Sequence, residues 1–275
     1  MLVRVVGGVS PLPDCVPSDS TDRCGARAVI DNWIAGDATT KATVTSTYGD
    51  ISEWDVSQLT NMAYFFNGKE TFNADLSKWN VGQVTTMHST FKDTHVFNSD
   101  LSEWTVDKVT DMEEMFFNCY LLNTDMENWN VGKVTNMKSV FQSTTAFNGV
   151  ISTWDVSQAT TINRMFYAAV SFNGDLSEWD VSQVENMEWA FDKAAAFVGG
   201  DLTKWNTGKI TNMYQSFSSS PFNGDVSTWD VSRVTNMAYA FYAAVSFNGD
   251  LSEWNVSHVE NMEAAFHKAA AFVGG

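Results

Sequence analysis

The sequence predicts an α/β repeat solenoid of leucine-rich-repeat type: about nine coils of 25 residues, each with a short parallel β-strand and a short helix, behind an N-terminal helical cap. Three observations carry this. Trp54, Trp79, Trp104, Trp129, Trp154, Trp179, Trp205, Trp229 and Trp254 recur every 25 residues, apart from one step of 26 and one of 24 that compensate each other. Two phenylalanine columns keep the same register, one from Phe66 to Phe266 and one from Phe72 to Phe272, and account for seventeen of the 19 Phe. A methionine column from Met62 to Met262 is interrupted only by Ile162. A period of this length marks a stacked array, because one such unit cannot bury its apolar face alone.

Along the chain, residues 1–25 form a polar leader. Cys15 and Cys24 lie in it nine residues apart and are candidates for a disulfide, while Cys119 stands alone. Residues 26–49 hold the cap and lead-in. Ala26, Val29, Ile30, Trp33 and Ile34 follow helical spacing with Gly36 as a stop, predicting a helix over Ala26–Ala35. Thr43, Thr45 and Thr47 then alternate as an extended lead-in. Residues 50–275 are the array. Within one repeat, Leu76, Trp79 and Val81 read as a strand with one face buried. Val84, Met87 and Phe91 read as a helical turn that Thr110 and Glu113 would cap in the next repeat. Phe172, Asn173 and Gly174 supply a turn of residues that tolerate positive φ.

The repeat LSxWDVSxVTNMxxxFxxAxxFNGD, in nine copies over about Asp50 to Gly275, closely resembles the BspA-like leucine-rich-repeat surface proteins, including the 25-residue repeat first catalogued as a mycoplasma lipoprotein-associated domain of unknown function. The cap running into a YGDIS-type first coil is similar to algal and protist members. The resemblance implies a leucine-rich-repeat-like fold, a secreted or cell-surface setting and no catalytic residues.

The net charge of −17 excludes a protein that tracks phosphates with a basic face, and no apolar run is long enough for a transmembrane helix. The acid is ordered in two columns. One follows each tryptophan: Asp55, Asn80, Thr105, Asn130, Asp155, Asp180, Asn206, Asp230 and Asn255. These predict a polar ladder that satisfies neighbouring groups, or a strip for glycan or Ca²⁺. The other runs Asp50, Asp75, Asp100, Asp125, Asp175, Asp201, Asp225 and Asp250, where carboxylates suit Asx turns. Trp189 falls outside the tryptophan column and is a candidate contact residue. His88, His95, His258 and His267 show no zinc-like spacing with the cysteines, and no catalytic set or cofactor is expected. The 34 residues from Tyr167 recur from Tyr242 with four changes, and the expected uncapped C-terminal coil offers an edge for self-association or a protein partner. The functional expectation is a non-enzymatic structural or adhesive interaction module at the cell surface, with a Ca²⁺-assisted carbohydrate binder as the alternative.

Overall fold

The computed structural model describes residues 10–14 and 25–274; the candidate pair Cys15 and Cys24 lies outside them. Helix α1, Gly25–Ala35, buries Ala26 and Ile30 and packs Val29, Trp33 and Ile34 on the core. It stops at Gly36, where a Cβ would stand 2.3 Å from the Asn32 carbonyl oxygen. The lead-in is not extended. Ala38–Tyr48 forms a second helix, α2, whose N-terminus is capped by Asp37 accepting from the Thr40 amide at 2.8 Å. Its threonines remain compatible with a helix because Thr43 and Thr47 donate their hydroxyls to carbonyls four residues back, at 3.0 and 2.8 Å.

The predicted α/β architecture is overturned. Among the described residues there is no β-strand and no helix after the 3₁₀ turn Ile51–Glu53. Each coil is instead a chain of β-turns. In one of them, Trp79 donates to the Leu76 carbonyl, Val84 to Val81, Thr90 to Met87, Lys92 to Ser89 and Thr94 to Phe91. Adjacent coils meet at isolated parallel bridges, Asn61 with Thr86, Thr86 with Asp111, and so on to Asn236 with Asn261.

The segment expected to be helical alternates between right- and left-handed backbone. Among the described residues, all 17 non-glycine positions with positive φ fall two or six places after the Met column, such as Ser89 (φ 51°) and Asp93 (φ 57°). The alternation turns every second peptide along the stacking axis. Met87, Ser89, Phe91 and Asp93 therefore donate to Asp111, Glu113, Met115 and Phe117 of the next coil at 2.8–2.9 Å. A helix would close these bonds on itself and leave nothing to join the coils. Each left-handed residue costs about 1–2 kcal/mol, and each pair is offset by four inter-coil bonds of about 1 kcal/mol each.

Inside, the registered rings stack. Trp104 and Trp129 lie 6.4 Å apart and nearly parallel, and Phe66 and Phe91 lie 5.3 Å apart. Each tryptophan also joins coils through its indole N–H, as Trp104 donates to Leu76 O at 3.0 Å and Trp129 to Leu101 O at 2.9 Å. The column thus needs tryptophan in particular, since phenylalanine has no donor. The extra residue of the 26-residue step is taken up at Gly199 and Gly200, with φ of 92° and 91°.

At the N-terminal end α1 and α2 close the stack. Trp33 packs edge-on against Trp54 and Phe72, and Leu12 is buried while its amide donates to Asp55 O at 3.0 Å. On the last coil the equivalent positions lie open: Met262 is 42% exposed, whereas Met237 is fully buried.

Candidate interaction surface

The polar strip after the tryptophans is made of local turns. Asp55, Asn80, Asn130, Asp155, Asp180, Asn206, Asp230 and Asn255 each accept, through Oδ1, the amide of the residue two places on, at 2.9–3.3 Å. In the second acidic column Asp75 accepts from Ser77 and Asp100 from Ser102 in the same way, both at 2.9 Å, whereas Asp125 accepts from the Val150 amide of the next coil at 3.0 Å. The hydrogen bonds from Ser77 hold the Asp75 carboxyl below its ordinary pKa, and Ser102 does the same for Asp100.

The inter-coil amide ladder belongs to a different column. Asn98, Asn123, Asn148 and Asn173 accept, through Oδ1, the backbone amide of the residue 25 places on, at 2.8–3.1 Å. The Asn of each Phe-Asn-Gly is thus a staple between coils rather than a positive-φ turn residue, and Asn173 and Gly174 keep negative φ. The threonines expected as helix caps also run between coils, as Thr85 donates both amide and hydroxyl to Thr60 O at 2.8 and 3.0 Å.

With these columns occupied, what distinguishes one coil from another is the side chains around the left-handed positions. Trp189 sits at such a position (φ 54°), which ranges over the other coils from Ser89, Ser139 and Ala264 to Glu114, Arg164, Gln215, Tyr64 and Tyr239. The Arg164 guanidinium lies 3.8 Å from the Trp189 ring centroid, and Tyr214 meets that ring edge-on at 5.1 Å. Tyr239 follows at 6.0 Å from Tyr214, and Tyr242 at 5.7 Å from Tyr239. The result is a continuous, half-exposed aromatic strip across successive coils. Spacing rules miss it, because it appears only after the repeat pattern is subtracted. The signal was nonetheless present, since every tyrosine except Tyr48 lies within the repeats yet outside their core columns.

In the N-terminal half the same face carries polar groups. His88 Nδ1 lies 3.7 Å from Asp111 Oδ2 and 4.0 Å from Glu113 Oε2, and Tyr64 packs against the imidazole at 4.9 Å. Lys138 pairs with Glu113 Oε1 at 2.6 Å and Asn136 donates to Glu113 Oε2 at 2.9 Å. Burial raises the Glu113 pKa, but the bonds from Lys138 and Asn136 and the charges of Lys138 and His88 outweigh it, leaving it lowered.

Cys119 is a core residue. Its thiol points to Phe91 O at 3.0 Å, the contact that the Thr94 hydroxyl makes to Phe66 O one coil earlier, and burial pushes its pKa far up. It has none of the thiolate character a nucleophile needs.

The family described as Mycoplasma protein of unknown function, DUF285, matches residues 37–133, 118–219 and 186–274, overlapping spans that together run almost the length of the array. The chain belongs to this family. No curated protein matches it. The matched spans take in α2 and the stacked turn-built coils described above. No helix among the described residues is long and apolar enough to cross a membrane.

Proposed function

We propose that this DUF285 chain is a non-enzymatic protein-interaction module of the cell surface, which binds its partner through the variable face and above all through the strip Arg164, Trp189, Tyr214, Tyr239 and Tyr242. The observation that carries the reading is Trp189. A bulky ring at a left-handed backbone position is costly, and Ser139 and Ala264 serve the same turn without it. Half-exposed Trp, Tyr and Arg are the residue types that dominate protein interfaces. The backbone beneath is fixed by bonds on both sides, so little ordering cost remains on binding. The BspA-like resemblance agrees with a surface setting.

Carbohydrate binding, with or without Ca²⁺, draws less support. The Trp189 ring has Arg164 over it, and each Asx carboxylate of the polar strip already spends Oδ1 on a backbone amide.

The test is a selection of binders from a displayed random-peptide library on the immobilised chain. Trp189→Ala and Tyr239→Ser should each weaken the selected binders by tenfold or more with unchanged melting, while Asp155→Ser leaves them intact. Binders lost with Asp155→Ser and kept by Trp189→Ala would contradict the reading. Selective glycan-array binding lost with Trp189→Ala would move it to the carbohydrate alternative.

A further inference from the structure

We propose that His88, Asp111 and Glu113 form a binding site for a zinc-type divalent cation on the rim of the second and third coils. The candidate ligand atoms, one from each residue, lie within 4.8 Å of one another. Tetrahedral zinc with bonds of about 2.0–2.2 Å places its ligand atoms about 3.3–3.6 Å apart. The distances from His88 Nδ1, 3.7 and 4.0 Å, need a closure of about half an ångström to reach that geometry, and a pair at the 4.8 Å limit needs about 1 Å, within reach of rotamer adjustment in side chains that are partly exposed.

The donor set is a departure from the repeat that the fold does not require. The column of Asp111 holds Asn or Thr in the other eight coils, and each of those makes the same local turn bond. Asp111 Oδ1 makes it too, accepting from the Glu113 amide at 2.9 Å. Its second atom is therefore the difference: where an asparagine would present N–H₂, Asp111 turns a bare oxygen toward His88. His88 and Glu113 occupy one column in successive coils, where the first coil has Ala63.

The surroundings hold the ligands in place. Tyr64 packs edge-on against the imidazole, and Asn136 and Lys138 fix the two Glu113 oxygens. Such outer contacts orient ligands and tune affinity. The mixed imidazole and carboxylate set favours zinc over calcium, which wants six to eight oxygens. The side chains are 22–35% exposed, so water completes the coordination. Sequence spacing cannot show the site, because the ligands converge through the 25-residue period.

The experiment is calorimetric titration of the full chain with zinc chloride, with the His88 ring nitrogens followed by NMR. The expected result is one tight equivalent with a shift at Nδ1. His88→Ala and Asp111→Asn should each weaken it at least tenfold, with calcium not competing. Asp111→Asn keeps the turn bond that Asn136 makes, so its zinc-free melting temperature should equal that of the parent chain. Zinc bound as tightly by Asp111→Asn and His88→Ala as by the parent, or no zinc bound by the folded parent, would overturn the site.

Discussion

The Asp14 carboxylate accepts the Thr60 amide at 2.9 Å and the Thr60 hydroxyl at 2.7 Å. In later coils these two donors go to the carbonyl of the preceding threonine, as Thr110 shows with Thr85 O at 2.9 and 3.2 Å. A side chain outside the array thus stands in for a missing coil and ends the ladder. Asp14→Ala leaves both donors without that acceptor, and equilibrium urea unfolding should show a loss of about 1–3 kcal/mol. A loss below a few tenths would mean that water replaces the carboxylate fully.

The indole staple predicts a graded series at Trp129, whose ring stacks between Trp104 and Trp154. Trp129→Phe removes the bond to Leu101 O, which keeps its turn bond from Trp104, so about 1–2 kcal/mol should be lost including the smaller ring. Trp129→Ala opens a cavity and should cost about 3–5 kcal/mol by the same measurement.

Left-handed backbone at a non-glycine residue makes a prediction of opposite sign. Ala243 has φ 53° and is only half-buried. Ala243→Gly should raise stability by about 1 kcal/mol, since glycine pays no Cβ penalty there. Were the segment helical, the same change would lower stability by a similar amount, so thermal unfolding of this one variant distinguishes the two backbones.

Two groups of carboxylates set the pH dependence in opposite senses. Asp50, Asp75, Asp100, Asp175, Asp201 and Asp250 have lowered folded-state pKa values through hydrogen bonds from the Ser or Thr two residues on. Their contribution is present above the ordinary value of about 3.8 and is lost as pH falls through the lower folded values. Asp192 is 2% exposed, and burial raises its pKa despite a bond from Ser218. A raised carboxyl stabilises below its unfolded pKa and loses that contribution as pH rises through the folded value. Asp192→Ser, matching Ser218 in the next coil, should therefore raise the melting temperature at pH 7 and make less difference at pH 3. A larger gain at pH 3 would contradict the assignment.

The inward-facing residues were legible in the sequence, and the hydrogen bonding was not. Leu76, Trp79, Val81, Val84, Met87, Phe91 and Phe97 are all buried, as their columns imply. The spacing of Val84, Met87 and Phe91 matches a helix, yet consecutive turns place the same residues inward. Hydrophobic periodicity reports which side chains face the core and says nothing of where each amide points. The left-handed positions are not legible in the sequence, because Arg164, Trp189 and Tyr239 are residues that rarely adopt that backbone. The same is true of the Asn ladder, whose Phe-Asn-Gly context reads locally as a turn.

The binding face is tested most directly by hydroxyl-radical footprinting of the chain with and without a selected peptide bound. Oxidation at Trp189, Tyr214, Tyr239 and Tyr242 should fall several-fold in the complex, while Tyr64 and Tyr120, in the first and third coils, change little. Protection confined to the residues around Asp55, Asp155 and Asp230, with the aromatic strip oxidised as in the free chain, would contradict the account.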